Sequence, residues 1–269
     1  MSLRVAAGHG PLHPQPGAPG DRLAAAQALA AQAAAQGARL LVLPQLSLTG
    51  WAADEAAAGC LAQPSDGLLP RRLAGVAREH RLAILGGYLE LCTGRYHDAA
   101  LFVDERGCAL ANYRRTHLAP GRDPPVLSPG QWLTVVPFAG RKLGLLIGAD
   151  VEAPEPARAL ALAGADTLLV AARHGAAMAA AGGALLAARA FENGRAVVYA
   201  NGVDEPGAPT SRVLGPDGAV LAEAEAGRLA VADLPAAPAA DAASRLAGRR
   251  PRLYRRLAAE TPGEDAPRL

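Results

Sequence analysis

Few side chains in this sequence of 269 residues could carry nucleophilic chemistry. Such chemistry needs a thiol, hydroxyl or amine beside a base, together with a cation that stabilises developing negative charge. The three cysteines, Cys60, Cys92 and Cys108, have no metal-type spacing and are typical of free thiols in a reducing compartment. Lys142 is the only lysine, so arginine supplies the remaining permanent positive charge. The chemistry therefore depends on where the fold places these residues.

Three other motifs do not meet the geometry that their ligands require. His9 and His13 lie in a Pro- and Gly-rich stretch without a third ligand, so we predict no metal site. Gly8 and Gly10 lack a third glycine at the needed offset and a helix directly behind them, so we expect no dinucleotide. The C-terminal arginines are interleaved with one aromatic residue, Tyr254, which argues against nucleic acid. We predict no cofactor.

The composition predicts a folded chain without a membrane segment. Hydrophobic residues make up 51% and charged residues 19% of the sequence, too few charges for a disordered chain. No apolar run approaches the roughly 20 residues that cross a bilayer, and the N-terminus lacks the apolar region of a signal peptide. The net charge of +2 gives no general attraction to nucleic acid. A cytoplasmic location is the default expectation.

Strand-like and helix-like patterns alternate along the sequence, with two inserted hairpins. This order predicts an α/β fold, a layered sandwich with mixed sheets. Helices are predicted after Asp21, placed as an N-cap, and at 70–81, 154–165 and 182–194. Strands are predicted at 3–7, 40–44, 82–91, 96–103, 107–114, twice within 132–150, and at 166–172, 196–203, 211–224 and 228–235.

The domain organisation predicted from this pattern is simple. Residues 1–235 contain no internal repeat and no linker, so we predict a single domain there. From 236 to 269 the chain is rich in Ala, Pro and Arg, and we predict a C-terminal arm that packs on the domain or on a dimer partner.

Four segments, in this order, resemble the amidase-like branch of the nitrilase superfamily, the carbon–nitrogen hydrolases. They are GARLLVLPQLSLTGW (37–51), YRRTHL (113–118), LGLLIGADVEAPEPAR (143–158) and ARAFENGRAVVYANGV (188–203). The hairpin at 211–224 and RRPRLY (249–254) support the resemblance, which runs from residue 3 to about 256. It implies a four-layer αββα sandwich, commonly a homodimer or a higher homo-oligomer, and acyl transfer through a glutamate base, an oxyanion-stabilising lysine and a cysteine nucleophile.

All three catalytic positions implied by the resemblance are substituted in this chain. Gln45 follows Pro44 where the glutamate is expected, and it cannot accept a proton near neutral pH. Arg115 occupies the position where the lysine is expected, so a planar guanidinium group replaces a compact ammonium group. Gly148 ends the strand LGLLI where the cysteine is expected, so no covalent intermediate can form there.

These substitutions predict a pseudoenzyme that has lost carbon–nitrogen hydrolysis and retains a binding or structural role. The alternative is an active hydrolase of amide or other non-peptide carbon–nitrogen bonds that works by a non-standard mechanism, with a bound water as nucleophile near Gly148. The substituted site should be about one charge unit more positive than a working triad. Arg115 could then bind a small anion, a carboxylate or an amide-like ligand. In the opposing interpretation, Arg115 pairs with Asp123 or Glu152 and the pocket is inert.

The resemblance also implies supporting residues around the pocket. Asp123 is the acid nearest to the position that supports the triad. Asp150 and Glu152 match an acidic pair that organises the end of the nucleophile strand. His174 follows a strand end that lines the pocket and could contact a ligand. Glu192 and Asn193 lie on a helix that packs behind the pocket and supports it.

Overall fold

A computed structural model describes residues 2–10, 19–119, 121–202, 206–224, 229–235 and 246–258. Within them the strands form two six-stranded sheets. The first sheet contains β1 (Leu3–Gly8), β2 (Leu40–Val42), β3 (Ala83–Cys92), β4 (Arg95–Val103), β5 (Ala109–Arg114) and β12 (Leu229–Leu234). The second contains β6 (Val135–Phe138), β7 (Arg141–Ile147), β8 (Thr167–Ala172), β9 (Ala196–Asn201), β10 (Arg212–Leu214) and β11 (Val220–Glu223).

Both sheets are mixed and share one plan. The order of the first is β12-β1-β2-β3-β4-β5, and that of the second is β11-β10-β9-β8-β7-β6. In each sheet three strands run parallel at the centre, β1, β2 and β3 in one and β7, β8 and β9 in the other, while antiparallel strands flank them. Every residue of β2, β8 and β9 is buried, which explains their continuous apolar runs.

Helices cover the outer face of each sheet. The helices are α1 (Pro19–Ala35), α2 (Glu55–Leu61), α3 (Leu68–His80), α4 (Pro154–Leu162) and α5 (Ala179–Asn193). Helices α1 and α3 bury apolar side chains such as Leu29 and Leu73 on the first sheet. Leu160 of α4 and Leu186 of α5 pack in the same way on the second.

The inner faces of the two sheets pack against each other and form the central core. This layer joins residues from both sheets, and Phe102 meets Phe138 edge-on with ring centroids 5.6 Å apart. Sheet-on-sheet packing inside two helical layers gives the four-layer αββα sandwich, so the predicted fold class is confirmed.

Some local predictions differ from the structure. The first helix begins at Pro19, so Asp21 lies in its first turn, where a carboxylate still favours the helix dipole, and is not the N-cap. Residues 132–150 do contain two strands, and they are joined at Ala139 and Gly140, whose φ angles of 50° and 78° fit a two-residue hairpin. Helix α2 was not predicted, because its seven residues are too short for a clear period.

Only part of the predicted C-terminal arm lies within the described residues. Residues 236–245 and 259–269 fall outside them, while Pro251–Ala258 form a 3₁₀ helix. Arg249 and Tyr254 line a cavity together with Arg158 of α4 and Glu192 of α5. The described part of the chain contains no helix long and apolar enough to cross a membrane.

Candidate functional site

The three substituted positions meet at one end of the sandwich, where strands of both sheets end. Gln45 follows β2, Arg115 follows β5, and Gly148 follows β7. His174 follows β8, and its backbone N–H donates to Oδ1 of Asn201 at the end of β9. The backbone N–H of Gln45 donates to the carbonyl of Ala172 at 3.3 Å, which joins the two sheets directly beside the site.

A cavity of about 210 Å³ opens between these strand ends. The floor contains Gln45, Arg115 and Gly148, and the wall includes charged side chains from several loops. The remaining lining residues are Trp51, Ala119, Arg122, Asp123, Ala149, Glu152, Arg173, His174, Gly175, Ala177 and Met178. None of the three cysteines is among them; Cys60 and Cys108 are exposed and Cys92 is partly exposed elsewhere.

Gly148 takes a conformation that suits glycine, and a neighbour occupies the space beside it. It begins the 3₁₀ turn Gly148–Val151 with a φ of 48°, in the left-handed region. A Cβ at this position would lie only 2.8 Å from Oε1 of Gln45. The Gln45 amide therefore fills the space into which a side chain at position 148 would project.

A hydrogen bond to Asp98 fixes the orientation of that amide. Nε2 of Gln45 donates to Oδ2 of Asp98 at 2.5 Å, and the Gln45 residue is 6% exposed. Because an ionised carboxylate can only accept hydrogen bonds, the amide nitrogen must face Asp98. Oε1 consequently faces Gly148.

Arg115 is held between two carboxylates. Its Nε lies 3.2 Å from Oδ2 of Asp98, and its Nη2 lies 2.7 Å from Oδ1 of Asp123. The Arg115 side chain is 4% exposed, and the two carboxylates are almost equally buried. Neither Nε nor Nη2 makes a well-directed hydrogen bond to these carboxylates, so the contacts are ion pairs by distance. That Arg115 binds a small anion stays a prediction. The opposing interpretation named Asp123 or Glu152 as the partner of Arg115; Asp123 is that partner, and Glu152 pairs with Arg122 and His174 instead.

Asp98, in the middle of β4, is the functional residue that the sequence analysis missed. Its side chain is fully buried, and burial raises its pKa to about 6, against the opposing effects of Arg115 and of the Gln45 hydrogen bond. Asp98 lies beside Arg115 but does not line the cavity, and the expected gain of about one positive charge relative to a working triad stays a prediction. The only sequence signal was an acid directly before the apolar run AALFV (99–103) of the same predicted strand, where an unpaired charge would not be tolerated.

Asp150 is fully buried and organises the loop that carries Arg115. Its Oδ1 accepts from the backbone N–H groups of Thr116 and His117, and its Oδ2 accepts from the hydroxyl of Tyr113 at 2.7 Å and from the N–H of Ile147. Asp150 thus ties the end of β5 to the end of β7. Its hydrogen bond to His117 raises the pKa of that imidazole.

Glu152 and His174 form the polar wall of the cavity. One oxygen of Glu152 accepts from Nη2 of Arg122 at 2.6 Å, and the other lies 3.5 Å from Nε2 of His174. His174 and Arg122 together lower the pKa of Glu152 to about 2. His174 is 7% exposed, and its Nδ1 lies 3.0 Å from the hydroxyl of Tyr199.

Glu192 and Asn193 lie behind the cavity and do not line it. Asn193 donates to the carbonyl of Arg189, and Glu192 accepts from Nη1 of Arg189. Arg189 in turn donates to the backbone carbonyls of Val151 and Glu152. Glu192 and Asn193 therefore contact the site only indirectly, through Arg189, whose hydrogen bonds hold the loop that follows Gly148.

The site offers no cluster for a metal ion. Within the described residues no group of three His, Cys, Asp or Glu side chains has metal-binding geometry. The carboxylates near the cavity are instead engaged by arginine or by backbone N–H groups.

Comparisons with known proteins point to one family. The family profile described as carbon–nitrogen hydrolase matches residues 5–243. A hydrolase in the pqqF 5′ region of Pseudomonas protegens is 41% identical over 166 residues, which are 61% of this chain and 58% of that protein. An (R)-stereoselective amidase of a Pseudomonas species is 37% identical over 131 residues, 49% of this chain and 47% of that protein. The chain thus aligns with only about half the length of these curated relatives.

Solved structures match over almost the whole chain. An amidase from Nesterenkonia sp. has a TM-score of 0.81 and 30% identity, and the match covers 95% of this chain and 96% of that one. A double mutant of the Nesterenkonia sp. AN1 amidase, with glutamine for a glutamate and alanine for a cysteine, was solved in complex with acrylamide. It has a TM-score of 0.80 and 32% identity, with coverage of 95% and 97%.

The contact between Gln45 and Gly148 predicts that even a small side chain at position 148 lowers the stability of the fold more than at other glycines with a positive φ. Gly148→Ala should lower the free energy of unfolding by about 2–4 kcal/mol, because the left-handed backbone is strained and the Gln45 amide must move away from Asp98. Gly94→Ala is the matched control: its φ is 74° with no atom near the added Cβ, so only about 1–2 kcal/mol should be lost. Urea denaturation measures both. Equal losses in the two variants would show that Gln45 does not fill the space beside Gly148.

The raised pKa of Asp98 predicts a characteristic dependence of stability on pH. A carboxyl whose pKa is higher in the folded state than in the unfolded state stabilises the fold when protonated, and this contribution disappears as the pH rises through the folded pKa. Relative to Asp98→Asn, the wild type should lose about 3 kcal/mol of unfolding free energy between about pH 4 and pH 6. Asp66→Asn, at an exposed carboxylate, should show no such difference. A wild type that gains stability relative to Asp98→Asn over this range would contradict the assignment.

Proposed function

Because this chain belongs to the carbon–nitrogen hydrolase family, we propose that it retains the pocket of the fold without hydrolysing carbon–nitrogen bonds through a cysteine. The observation that carries the proposal is the absence of a side chain at Gly148, where a Cβ would lie only 2.8 Å from Oε1 of Gln45. No thiol lines the cavity, so no thioester can form in it.

The environment of the other two positions supports the same proposal. A general base must accept a proton, and the Gln45 amide cannot do so near neutral pH. An oxyanion-stabilising cation must point to the developing charge, but Arg115 is directed to Asp98 and Asp123. Base, cation and nucleophile are therefore all absent in the form that acyl transfer requires.

The cavity remains large enough to bind a small polar molecule. Its volume of about 210 Å³ corresponds to roughly seven water molecules. The Nesterenkonia double mutant carries glutamine and alanine in place of a glutamate and a cysteine, and it was solved in complex with acrylamide. A protein of this fold thus binds an amide without those two side chains, which supports an amide-like or acid-like ligand for this chain.

We also propose a homodimer, as the resemblance implied. Exposed apolar side chains on α4 and in the C-terminal 3₁₀ helix support it: Leu162 is 50%, Leu253 58% and Tyr254 40% exposed. Where exposed apolar side chains lie together, the surface is commonly one that a partner covers.

Ammonia release from a panel of aliphatic amides, ω-amides, N-carbamoyl compounds and nitriles tests the proposed loss of hydrolysis. We expect the wild type to remain at background on every substrate. Restoring the triad with Gln45→Glu, Arg115→Lys and Gly148→Cys should not suffice, because the new carboxylate at position 45 would face Asp98 at about the present 2.5 Å. Adding Asp98→Asn removes that repulsion, and the quadruple variant should exceed the wild type by at least about a thousandfold on one substrate class.

The matched control for this experiment keeps three of the changes and moves the cysteine. In this control variant Ala149→Cys replaces Gly148→Cys. The thiol then still lines the cavity, but it lies one residue further along the chain from the end of β7. This control should be inactive. Ammonia release by the wild type that survives repeated purification would contradict the proposal and favour the relatives' amidase activity by another mechanism.

A further inference from the structure

A second cavity lies on the outer face of the first sheet, beside the part that α1 and α3 cover. Its volume is about 600 Å³, almost three times that of the cavity at the strand ends, and the two cavities share no lining residue. Strands β3, β4 and β5 form its floor, and the loops before α3 and before β6 form its walls. Arg114 lines this cavity and Arg115 lines the other, because consecutive residues of an extended chain point to opposite faces.

The floor of this second cavity is polar, although the same face of the sheet is apolar under the helices. Tyr88 and Ala99 belong to the core beneath α1 and α3. Two residues further along this face lie Glu90 and His97, which pair across β3 and β4 and are only 1% and 5% exposed. A concave site in which buried polar groups converge is the usual form of a small-molecule site.

The charges on the floor cancel except for one cation. The two carboxylate oxygens of Glu90 accept from Nε and Nη2 of Arg114 at 2.6 and 2.9 Å. Burial and the positive charges of Arg114 and Arg95 lower the pKa of His97, so its ring is neutral near pH 7. Arg95, two residues before His97 on β4, is exposed and has no carboxylate partner in the part of the chain that the structure describes.

This balance selects the charge of a ligand. A single free arginine repels cations and attracts one negative charge. A carboxylate carries one charge near neutral pH, whereas a phosphate monoester carries nearly two and would also approach the carboxylate of Glu90. The charge of the cavity therefore favours a monocarboxylate.

Trp132 gives the cavity a flat apolar surface. Its residue is 78% exposed although it lines the cavity. The loop that carries it is fixed, because the backbone N–H of Ser128 donates to the carbonyl of Tyr96 at 2.8 Å and that of Gly130 to the carbonyl of Arg115 at 2.7 Å. An indole that is positioned but uncovered favours a flat ring, which can stack on it.

The remaining side chains offer both donors and acceptors of hydrogen bonds. Nδ1 of His97 lies 2.9 Å from the carbonyl of Ser128, so the neutral ring carries its proton there and Nε2 is an acceptor. Oδ1 of Asn112 accepts from the hydroxyl of Tyr88 at 2.9 Å, which leaves Nδ2 as a donor. These groups suit a ring whose edge contains nitrogen atoms and other polar groups.

We propose that this second cavity binds a heteroaromatic carboxylate, a flat nitrogen-containing ring with one negative charge. The ring stacks on Trp132, its polar edge bonds to His97 and Asn112, and its carboxylate pairs with Arg95. This site lies outside the cavity at the strand ends, so the proposal goes beyond the proposed function and does not depend on it.

Probes that differ in one property test this proposal. Orotate and pyrazinecarboxylate have the ring and the charge, uracil and pyrazine have the ring alone, and cyclohexanecarboxylate has the charge without a flat ring. In isothermal titration calorimetry on the full chain at low salt, at least one heteroaromatic carboxylate should bind about tenfold or more tightly than its neutral ring and than cyclohexanecarboxylate. Raising the ionic strength should reduce the preference for the charged ring.

Variants assign each preference to one side chain. Arg95→Met should reduce binding of the carboxylate to that of the neutral ring, and Trp132→Leu should remove the preference for the flat ring over cyclohexanecarboxylate. Arg72→Met, at an exposed arginine of α3, is the matched control and should bind like the wild type. Thermal denaturation of each variant verifies that it is folded.

Tryptophan fluorescence locates the ligand directly. Trp51 and Trp132 are the only tryptophans, so in Trp51→Phe the tryptophan emission comes from Trp132 alone. Adding pyrazinecarboxylate to this variant should change the emission at the concentrations at which calorimetry shows binding.

Several results would overturn the proposal. They are the absence of any preference for a heteroaromatic carboxylate, a preference that persists in both Arg95→Met and Trp132→Leu, and adenosine monophosphate binding more tightly than both carboxylates. A preference lost in Arg173→Met but kept in Arg95→Met would place the ligand in the cavity at the strand ends and would also reject it. Ammonia release tests the proposed loss of hydrolysis independently, so the failure of one proposal is distinguishable from that of the other.

Discussion

The guanidinium of Arg115 determines the charge balance of the pocket floor. A buried cation without a partner would cost several kcal/mol, so the surrounding strands must supply carboxylates. They do so from two sides, Asp98 from within β4 and Asp123 from the loop after β5. Asp98 also holds the amide of Gln45, and that amide fills the space beside Gly148. The three substituted positions thus form one connected cluster.

This cluster explains why the substitutions are compatible with one another. Gln45 in place of a carboxylate avoids repulsion with Asp98, whose pKa is already raised by burial. Gly148 leaves room for the Gln45 side chain and accepts the left-handed backbone. Among the arginines that line the cavity, Arg173 is the one without a carboxylate partner in the described residues, and its guanidinium carbon lies 5.1 Å from the centroid of Trp51.

Much of the fold and part of the site could be predicted from the sequence. The fully apolar runs of β2 and β8 indicate buried parallel strands, and the position of Gly148 after such a strand follows from the motif around it. Pairing across elements could not be predicted. Asp98 lies in the middle of a strand without any motif, and its contact with Arg115 depends on how β4 and β5 align. The contact between Trp51 and Arg173, which are 122 residues apart in the sequence, likewise arises only from packing.

A crystal structure at a resolution that distinguishes individual side-chain atoms tests the central claim most directly. The account predicts the Gln45 amide in contact with Gly148 and Asp98, and the Arg115 guanidinium between Asp98 and Asp123. Gln45 turned away from Gly148, with open space at the end of β7 and the guanidinium of Arg115 directed into the cavity, would contradict it.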